Sequence, residues 1–102
     1  MGYPLKFNEQ AHDEYIAAYE WYELARTGLG NKFMESVERR LQQISEYPLY
    51  YSSRQHPRYR EVKVQNFPYS VVYEFFPRKG LIHIAAIYHS RRNPKHKYRR
   101  MK

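Results

Sequence analysis

The first half of the chain has the hydrophobic spacing of two amphipathic helices. Small and aromatic residues recur at steps of three and four, as one face of a helix requires; they are Ala11, Tyr15, Ala18, Tyr22 and Ala25. Asn8 precedes this stripe as a suitable N-cap, and Glu9 follows in the first turn. After a break at residues 27–30, a second stripe runs to Pro48 through Phe33, Val37, Leu41 and Ile44. The pattern predicts an antiparallel helical hairpin.

The second half changes to the alternating pattern of β-strands. Val62 and Val64 alternate with charged residues, and Val71, Tyr73 and Phe75 share one face of the next run. Residues 81–88 are apolar on both faces, as in an inner strand, and residues 77–80 supply the turn before them. Residues 3–7 can form a short first strand. The order β-α-α-β-β-β predicts an α+β fold in which the hairpin packs on one face of a small antiparallel sheet.

Charge is concentrated at the end of the chain. The 102 residues carry a net charge of +8, from 18 Lys/Arg and 10 Asp/Glu. Residues 89–102, the basic C-terminal segment, hold seven of the Lys/Arg and no acid, which leaves 11 basic against 10 acidic residues elsewhere. We expect one domain over residues 1–102 whose basic end either binds a polyanionic partner or is a solvated tail.

Several classes of protein are not supported. There is no cysteine, no charged and apolar leader at the N-terminus, and no apolar run near the ~18 residues of a membrane span. These features fit a soluble cytoplasmic protein that does not act at a membrane. The five histidines lack the spacing of metal ligands, and no glycine-rich loop opens a helix. We therefore expect neither a metal nor another cofactor.

A few polar residues have the chemistry needed to cleave RNA through its 2′-hydroxyl. His89 ends the inner strand and can serve as acid or base, while Arg60 and Arg92 can hold the phosphate. Tyr98 can stack on a base or relay a proton. The alternative is structural: His89 caps a strand, and Arg60 pairs with Glu74 or Glu61.

Seven of the 12 tyrosines fall into two groups. Those at core periodicities are expected to act as large fillers with hydroxyls at the solvent rim; they are Tyr15, Tyr19, Tyr22 and Tyr73. A second group lies in a predicted loop, where aromatic and basic residues alternate as in a single-strand binder; it comprises Tyr47, Tyr50, Tyr51, Arg54, His56 and Arg58. For this second group, packing and nucleic-acid binding both remain open.

The residues resemble the RelE/ParE superfamily of toxins from bacterial type II toxin–antitoxin modules. The resemblance covers nearly the whole chain through AHDEYIAAYEWYE, LGNKFMESVERRLQQISEYP, YREVKVQNFPYSVVYEF and IHIAAIYHSRRNP. Its most specific elements are the hairpin ending in Tyr47-Pro48, Arg60 at the start of a strand, Phe67-Pro-Tyr69 leading into Val-Val-Tyr73, and the strand-terminal His89 followed by Arg92 and Pro94. The resemblance implies a cytoplasmic toxin neutralised by a cognate antitoxin, with operator DNA bound only through the antitoxin complex.

The resemblance also implies two alternative targets. ParE-like members poison DNA gyrase, which the long, evenly matched hairpin favours slightly. RelE-like members cut ribosome-bound mRNA, and in that case this chain would be a metal-independent endoribonuclease with catalytic His89, Arg60, Arg92 and Tyr98. For either target we expect a binding rim formed by Arg91, Arg92, Lys95, Lys97, Arg99 and Arg58. A third hypothesis is a non-toxic module that only binds nucleic acid.

Overall fold

Two helices and four strands follow one another in the predicted order. The computed structural model describes residues 2–52 and 57–91. Its elements are β1 (Leu5–Phe7), α1 (Glu9–Ala25), α2 (Leu29–Glu46), β2 (Arg60–Lys63), β3 (Tyr69–Phe76) and β4 (Leu81–His89). The helices form a hairpin on one face of the sheet, so the predicted α+β fold class is confirmed.

The helix ends follow from local chemistry. The Asn8 side chain accepts the backbone N–H of Gln10 at 2.8 Å, as expected of an N-cap. Between the helices, Gly28 adopts a left-handed conformation with φ 89°, which a residue with a Cβ adopts only at a cost. The carboxylate of Glu23 accepts the N–H groups of Gly28 and Gly30 at 2.9 and 3.0 Å. It thereby satisfies donors at the start of α2 that have no partner within the helix.

The sheet has the strand order β1-β4-β3-β2. The pairs β2–β3 and β3–β4 are antiparallel, as predicted, whereas β1 lies parallel to β4 at the edge. No hairpin joins β1 to β4, so their directions are not forced to oppose. β1 is also shorter than the predicted residues 3–7, because the backbone of Tyr3 bonds to Ser45 at the end of α2 instead.

A bulge explains why β4 is apolar on both faces. Val72 pairs with Ala86 and Tyr73 pairs with Ile84, which leaves Ala85 as an extra residue. The bulge keeps Ile84 and Ile87 on the face that the helices cover, despite the odd spacing between them. The main core lies between the hairpin and the face of the sheet that it covers. It includes Phe33, Val37, Leu41, Ile44, Val62, Val71, Tyr73 and Ile82. A smaller cluster on the opposite face contains Tyr59, Val72, Ala85, Ala86 and Tyr88.

Candidate functional site

His89 ends β4 on the helix side of the sheet. Its ring meets the ring of Tyr69 edge to face, with centroids 5.0 Å apart. The backbone N–H of Arg91 donates to His89 Nδ1 at 3.0 Å. A nitrogen that accepts a hydrogen bond carries no proton, so the neutral imidazole has its proton on Nε2. His89 is thus held as a hydrogen-bond donor through Nε2.

A groove of about 900 Å³ runs between α1 and the end of β4. The side of β4 includes His89 and Arg91, and the side of α1 includes Asp13, Glu14 and the exposed Trp21. Because β1 pairs with β4 only as far as Ile84, no strand among the described residues lies beside the later part of this edge of β4. The carboxylate of Glu14 instead accepts the N–H of Ile87 at 3.2 Å. The groove therefore combines a strand edge that is hydrogen-bonded by a side chain with charged residues of both signs.

Tyr22 lines this groove from α1. Burial, and secondarily the nearby Tyr69, raises the pKa of Tyr22, whose hydroxyl would be neutral at physiological pH even without this shift. Within residues 2–52 and 57–91, no group of three His, Asp or Glu side chains is placed to hold a metal ion.

Arg60 lies in a different part of the sheet. It pairs with Tyr73 across β3, and its Nη1 donates to the Tyr51 carbonyl and lies 3.5 Å from the Leu49 carbonyl. The Tyr73 hydroxyl donates to the Pro48 carbonyl at 2.6 Å. Arg60 thus projects to the helix side of the sheet, where its guanidinium binds the segment after α2.

The remaining predicted site residues are only partly described. Arg58 is largely exposed and lies 3.8 Å from the Glu74 carboxylate, so Arg58 and not Arg60 pairs with this acid. Arg91 is exposed beside His89. The other members of the predicted rim and catalytic set lie outside the described residues: Arg92, Lys95, Lys97, Tyr98 and Arg99. Arg54 and His56 of the predicted loop also lie outside them.

A second, more apolar groove of about 390 Å³ lies between the helices and the edge strand β1. Its lining includes Phe7, Ile16, Tyr19, Met34 and Leu41. Tyr15 crosses its floor, and its hydroxyl donates to the Glu38 carboxylate at 2.8 Å. Burial, followed by this hydrogen bond to a carboxylate, raises the pKa of Tyr15. An apolar groove beside a sheet edge can accept a helix or an added strand from a partner.

Sequence reasoning did not identify the α1 side of either groove. Ile16 and Trp21 are large apolar residues that lie off the α1 stripe, and both are exposed in the structure. An apolar residue on the polar flank of an amphipathic helix is the signal that could have revealed them. Among the described residues, neither helix has the length and apolar composition that crossing a membrane requires.

Comparisons with known proteins agree with this architecture. Residues 5–94 match the family model described as ParE toxin of type II toxin–antitoxin system, parDE. No protein of curated function matches the sequence. A solved chain of the chromosomal ParDE system from P. aeruginosa is 17% identical, with a TM-score of 0.73 over 85% of this chain and 95% of that one.

Solved RelE structures are similar to a comparable degree. The isolated E. coli RelE toxin is 20% identical, with a TM-score of 0.67 over 98% of this chain and 99% of its own. A chain of the intact E. coli RelBE toxin–antitoxin complex is 22% identical, with a TM-score of 0.68 over 88% and 99% of the two chains. These likenesses establish the shared fold, while the family model covers almost the whole sequence. The chain therefore belongs to the ParE toxin family of type II toxin–antitoxin systems, within the RelE/ParE superfamily.

Proposed function

We propose that this toxin inhibits growth by poisoning DNA gyrase, as ParE-like toxins do, and that its cognate antitoxin neutralises it. The observation that carries the proposal is the separation of Arg60 from His89. Arg60 pairs with Tyr73 on one side of β3, and His89 pairs with Tyr69 on the other side. Four residues along β3 and two strand spacings place their Cα atoms about 16 Å apart.

This separation weighs against a ribonuclease site built from both residues. A phosphate clamp and a general base must reach the same scissile group at hydrogen-bond distance. Arg60 is directed instead to the Tyr51 and Leu49 carbonyls. The Nδ1 of His89 accepts the backbone N–H of Arg91, so the neutral imidazole carries its proton on Nε2. To accept the proton of a 2′-hydroxyl, the imidazole would have to give up this hydrogen bond. Both features fit a surface that binds a target better than one that cuts RNA.

The runner-up function is RelE-like cleavage of ribosome-bound mRNA. It is favoured by the folds of the E. coli RelE structures and would rely on His89, Arg92 and Tyr98. Unlike gyrase poisoning, this function predicts cuts at defined codon positions in a translated message. The rate of this cleavage would fall when the His89 imidazole is removed.

Two assays with the purified chain separate these functions. Gyrase with supercoiled DNA should accumulate cleaved DNA after detergent and protease treatment when the toxin is present. A message that is translated by ribosomes in the presence of the toxin should stay intact. Codon-positioned cuts that disappear in His89→Ala or Arg92→Ala would overturn the gyrase proposal. Absence of both effects, with growth unaffected by unopposed expression, would favour a module that only binds nucleic acid.

The antitoxin binds the apolar groove beside β1 in this proposal. The groove has an exposed apolar lining, and the neighbouring edge strand leaves backbone groups for strand pairing. The basic C-terminal segment gives the antitoxin a second point of attachment through its charge. Operator DNA is bound through the complex of the two proteins and not by the toxin alone. Gyrase as target places this activity in the cytoplasm.

A further inference from the structure

Three large apolar side chains are exposed together after α2. Tyr47, Leu49 and Tyr50 are 66%, 64% and 80% exposed. Water contact of so much apolar surface is unfavourable, and clustered exposure of this kind marks an interaction site more often than a chance arrangement.

Side chains of the sheet bind the backbone carbonyls of this segment. The Tyr73 hydroxyl binds the Pro48 carbonyl, and Arg60 binds the Tyr51 carbonyl and approaches that of Leu49. The Tyr50 N–H also closes a turn onto the Tyr47 carbonyl at 3.1 Å. With these carbonyls bound to the sheet, the side chains of Tyr47 and Tyr50 are directed to solvent. The backbone position of the segment is therefore fixed by side-chain donors from the sheet.

The rings surround a small recess. A space of about 340 Å³ is lined by Gln43, Tyr47, Tyr50 and Tyr51, which we call the tyrosine recess. Tyr50 and Tyr51 meet edge to face with centroids 5.0 Å apart. The Tyr51 hydroxyl lies 3.4 Å from Gln43 Oε1. The recess thus presents aromatic faces beside an amide, the groups that proteins use to stack on bases and contact their edges.

Cations lie next to the tyrosine recess. Arg40 donates to Gln43 Oε1 and to the Lys63 carbonyl, each at 2.8 Å, which places the Arg40 guanidinium beside the recess. Arg39 is exposed one turn before Gln43 on α2. The chain as a whole has a net charge of +8, so a polyanion is attracted from a distance.

We propose that the tyrosine recess is a stacking platform for unpaired bases of single-stranded nucleic acid. Tyr47 and Tyr50 stack on bases, and Arg39 and Arg40 attract the flanking phosphates. Arg60 and Tyr73 act as positioning residues because they reach the bases only through the backbone of the segment. This binding is additional to the proposed gyrase poisoning and does not require it. In a paired duplex the faces of the bases are stacked on their neighbours and cannot stack on a protein ring, so a duplex is a poor ligand.

Fluorescence anisotropy with labelled oligothymidine of roughly 20 nucleotides tests the proposal. Binding to this strand should be tighter than to a duplex with the same number of phosphates at the same salt concentration. Because each stacked base contributes about 1–3 kcal/mol, the double variant Tyr47→Ala/Tyr50→Ala should bind the strand at least tenfold more weakly. Its dependence on salt should be unchanged, since the rings do not contact phosphates.

Matched variants isolate the role of the rings. Tyr47→Phe/Tyr50→Phe keeps both rings and should bind within about twofold of the parent, because stacking does not need the hydroxyls. Leu24→Ala removes an equally exposed apolar residue far from the recess and should have no effect. Arg39→Ala should instead lower the salt slope by about one phosphate contact. Circular dichroism confirms that each variant is folded.

Three outcomes would overturn the proposal. These are equal affinity for strand and duplex, an alanine double variant that binds as tightly as the parent, and a phenylalanine double variant as weak as the alanine one. If the alanine variant keeps oligonucleotide binding but no longer poisons gyrase, the recess docks a protein instead. Gyrase is absent from the anisotropy measurement, so failure there leaves the gyrase proposal intact.

Discussion

Tyr73 and Arg60 fix the conformation of the segment after α2 through direct hydrogen bonds to its backbone. Both side chains project from the sheet toward the helices, and both end on backbone carbonyls after α2. Tyr73 is fully buried, and Pro48, whose carbonyl it binds, is buried too. A buried carbonyl without a donor is costly, so this single hydroxyl has a larger effect than most hydrogen bonds at the surface.

Replacing Tyr73 with phenylalanine should therefore destabilise the fold. Tyr73→Phe keeps the ring but leaves the Pro48 carbonyl without its donor at 2.6 Å. We expect the free energy of unfolding to fall by about 1–3 kcal/mol, measured by urea denaturation. Tyr50→Phe removes an exposed hydroxyl and should change the free energy of unfolding by less than about 0.5 kcal/mol. Equal effects of the two substitutions would contradict the role of the buried bond.

The same hydroxyl gives a signature at high pH. Burial raises the pKa of Tyr73 to about 12, against the opposing effect of the Arg60 cation. In the unfolded chain the pKa of this hydroxyl is about 10, so the unfolded state loses the proton first. The stability that the neutral hydroxyl provides is intact below pH 10 and declines as the pH rises toward 12. Tyr73→Phe should thus show a shallower loss of stability than the parent between about pH 9 and pH 12.

The turn between the helices depends on a close approach at Gly30. A Cβ at this position would lie 2.8 Å from the carbonyl oxygen of Tyr19 and 2.8 Å from Glu23 Oε1. The first contact is with backbone and cannot be relieved by rotating a side chain. Glu23 also bonds the N–H of Gly30, so displacing its carboxylate removes the cap of α2.

We expect Gly30→Ala to destabilise the protein by about 1–3 kcal/mol, as overpacking does. Helix propensity alone predicts the reverse sign, since alanine is favoured over glycine inside a helix by about 1 kcal/mol. Urea denaturation decides between them. Lys32→Ala, at an exposed position of the same helix, serves as the control and should change the free energy of unfolding little. Stabilisation by Gly30→Ala would show that the turn can relax.

Periodicity predicted most elements because one face of each is buried. The α2 stripe and the alternation in β3 are consequences of that burial, and the structure places Phe33, Val37, Leu41 and Tyr73 in the core. The parallel pairing of β1 and the bulge at Ala85 have no local signal, since both depend on which strands meet. The binding of Arg60 to loop carbonyls was also not predictable. Every residue has a carbonyl, so such a partner leaves no mark in the sequence.

At the scale of the whole molecule, the helical hairpin and the rest of the sequence differ in the sign of their net charge. The helical hairpin, residues 8–47, has eight Asp/Glu and four Lys/Arg, a net charge of −4. The net charge of +8 for the whole chain therefore requires +12 on the remaining residues. The apolar groove beside β1 is lined largely by residues of the acidic hairpin. The basic C-terminal segment lies outside the hairpin in the sequence. An antitoxin that contacts both would combine a salt-insensitive and a salt-sensitive contribution.

Because of this difference in charge, the contribution of the groove to antitoxin affinity can be measured separately. Ile16 lines the groove and is 44% exposed, so Ile16→Asp should fold, but it would place a carboxylate where an apolar partner surface is buried. We expect the affinity for the cognate antitoxin to fall at least tenfold, by calorimetry, with the same relative loss at low and high salt. Leu24→Asp adds the same charge at an 88% exposed position of α1 outside the groove, and should have little effect. If both substitutions weaken binding equally, the antitoxin responds to the charge of the hairpin and not to the groove.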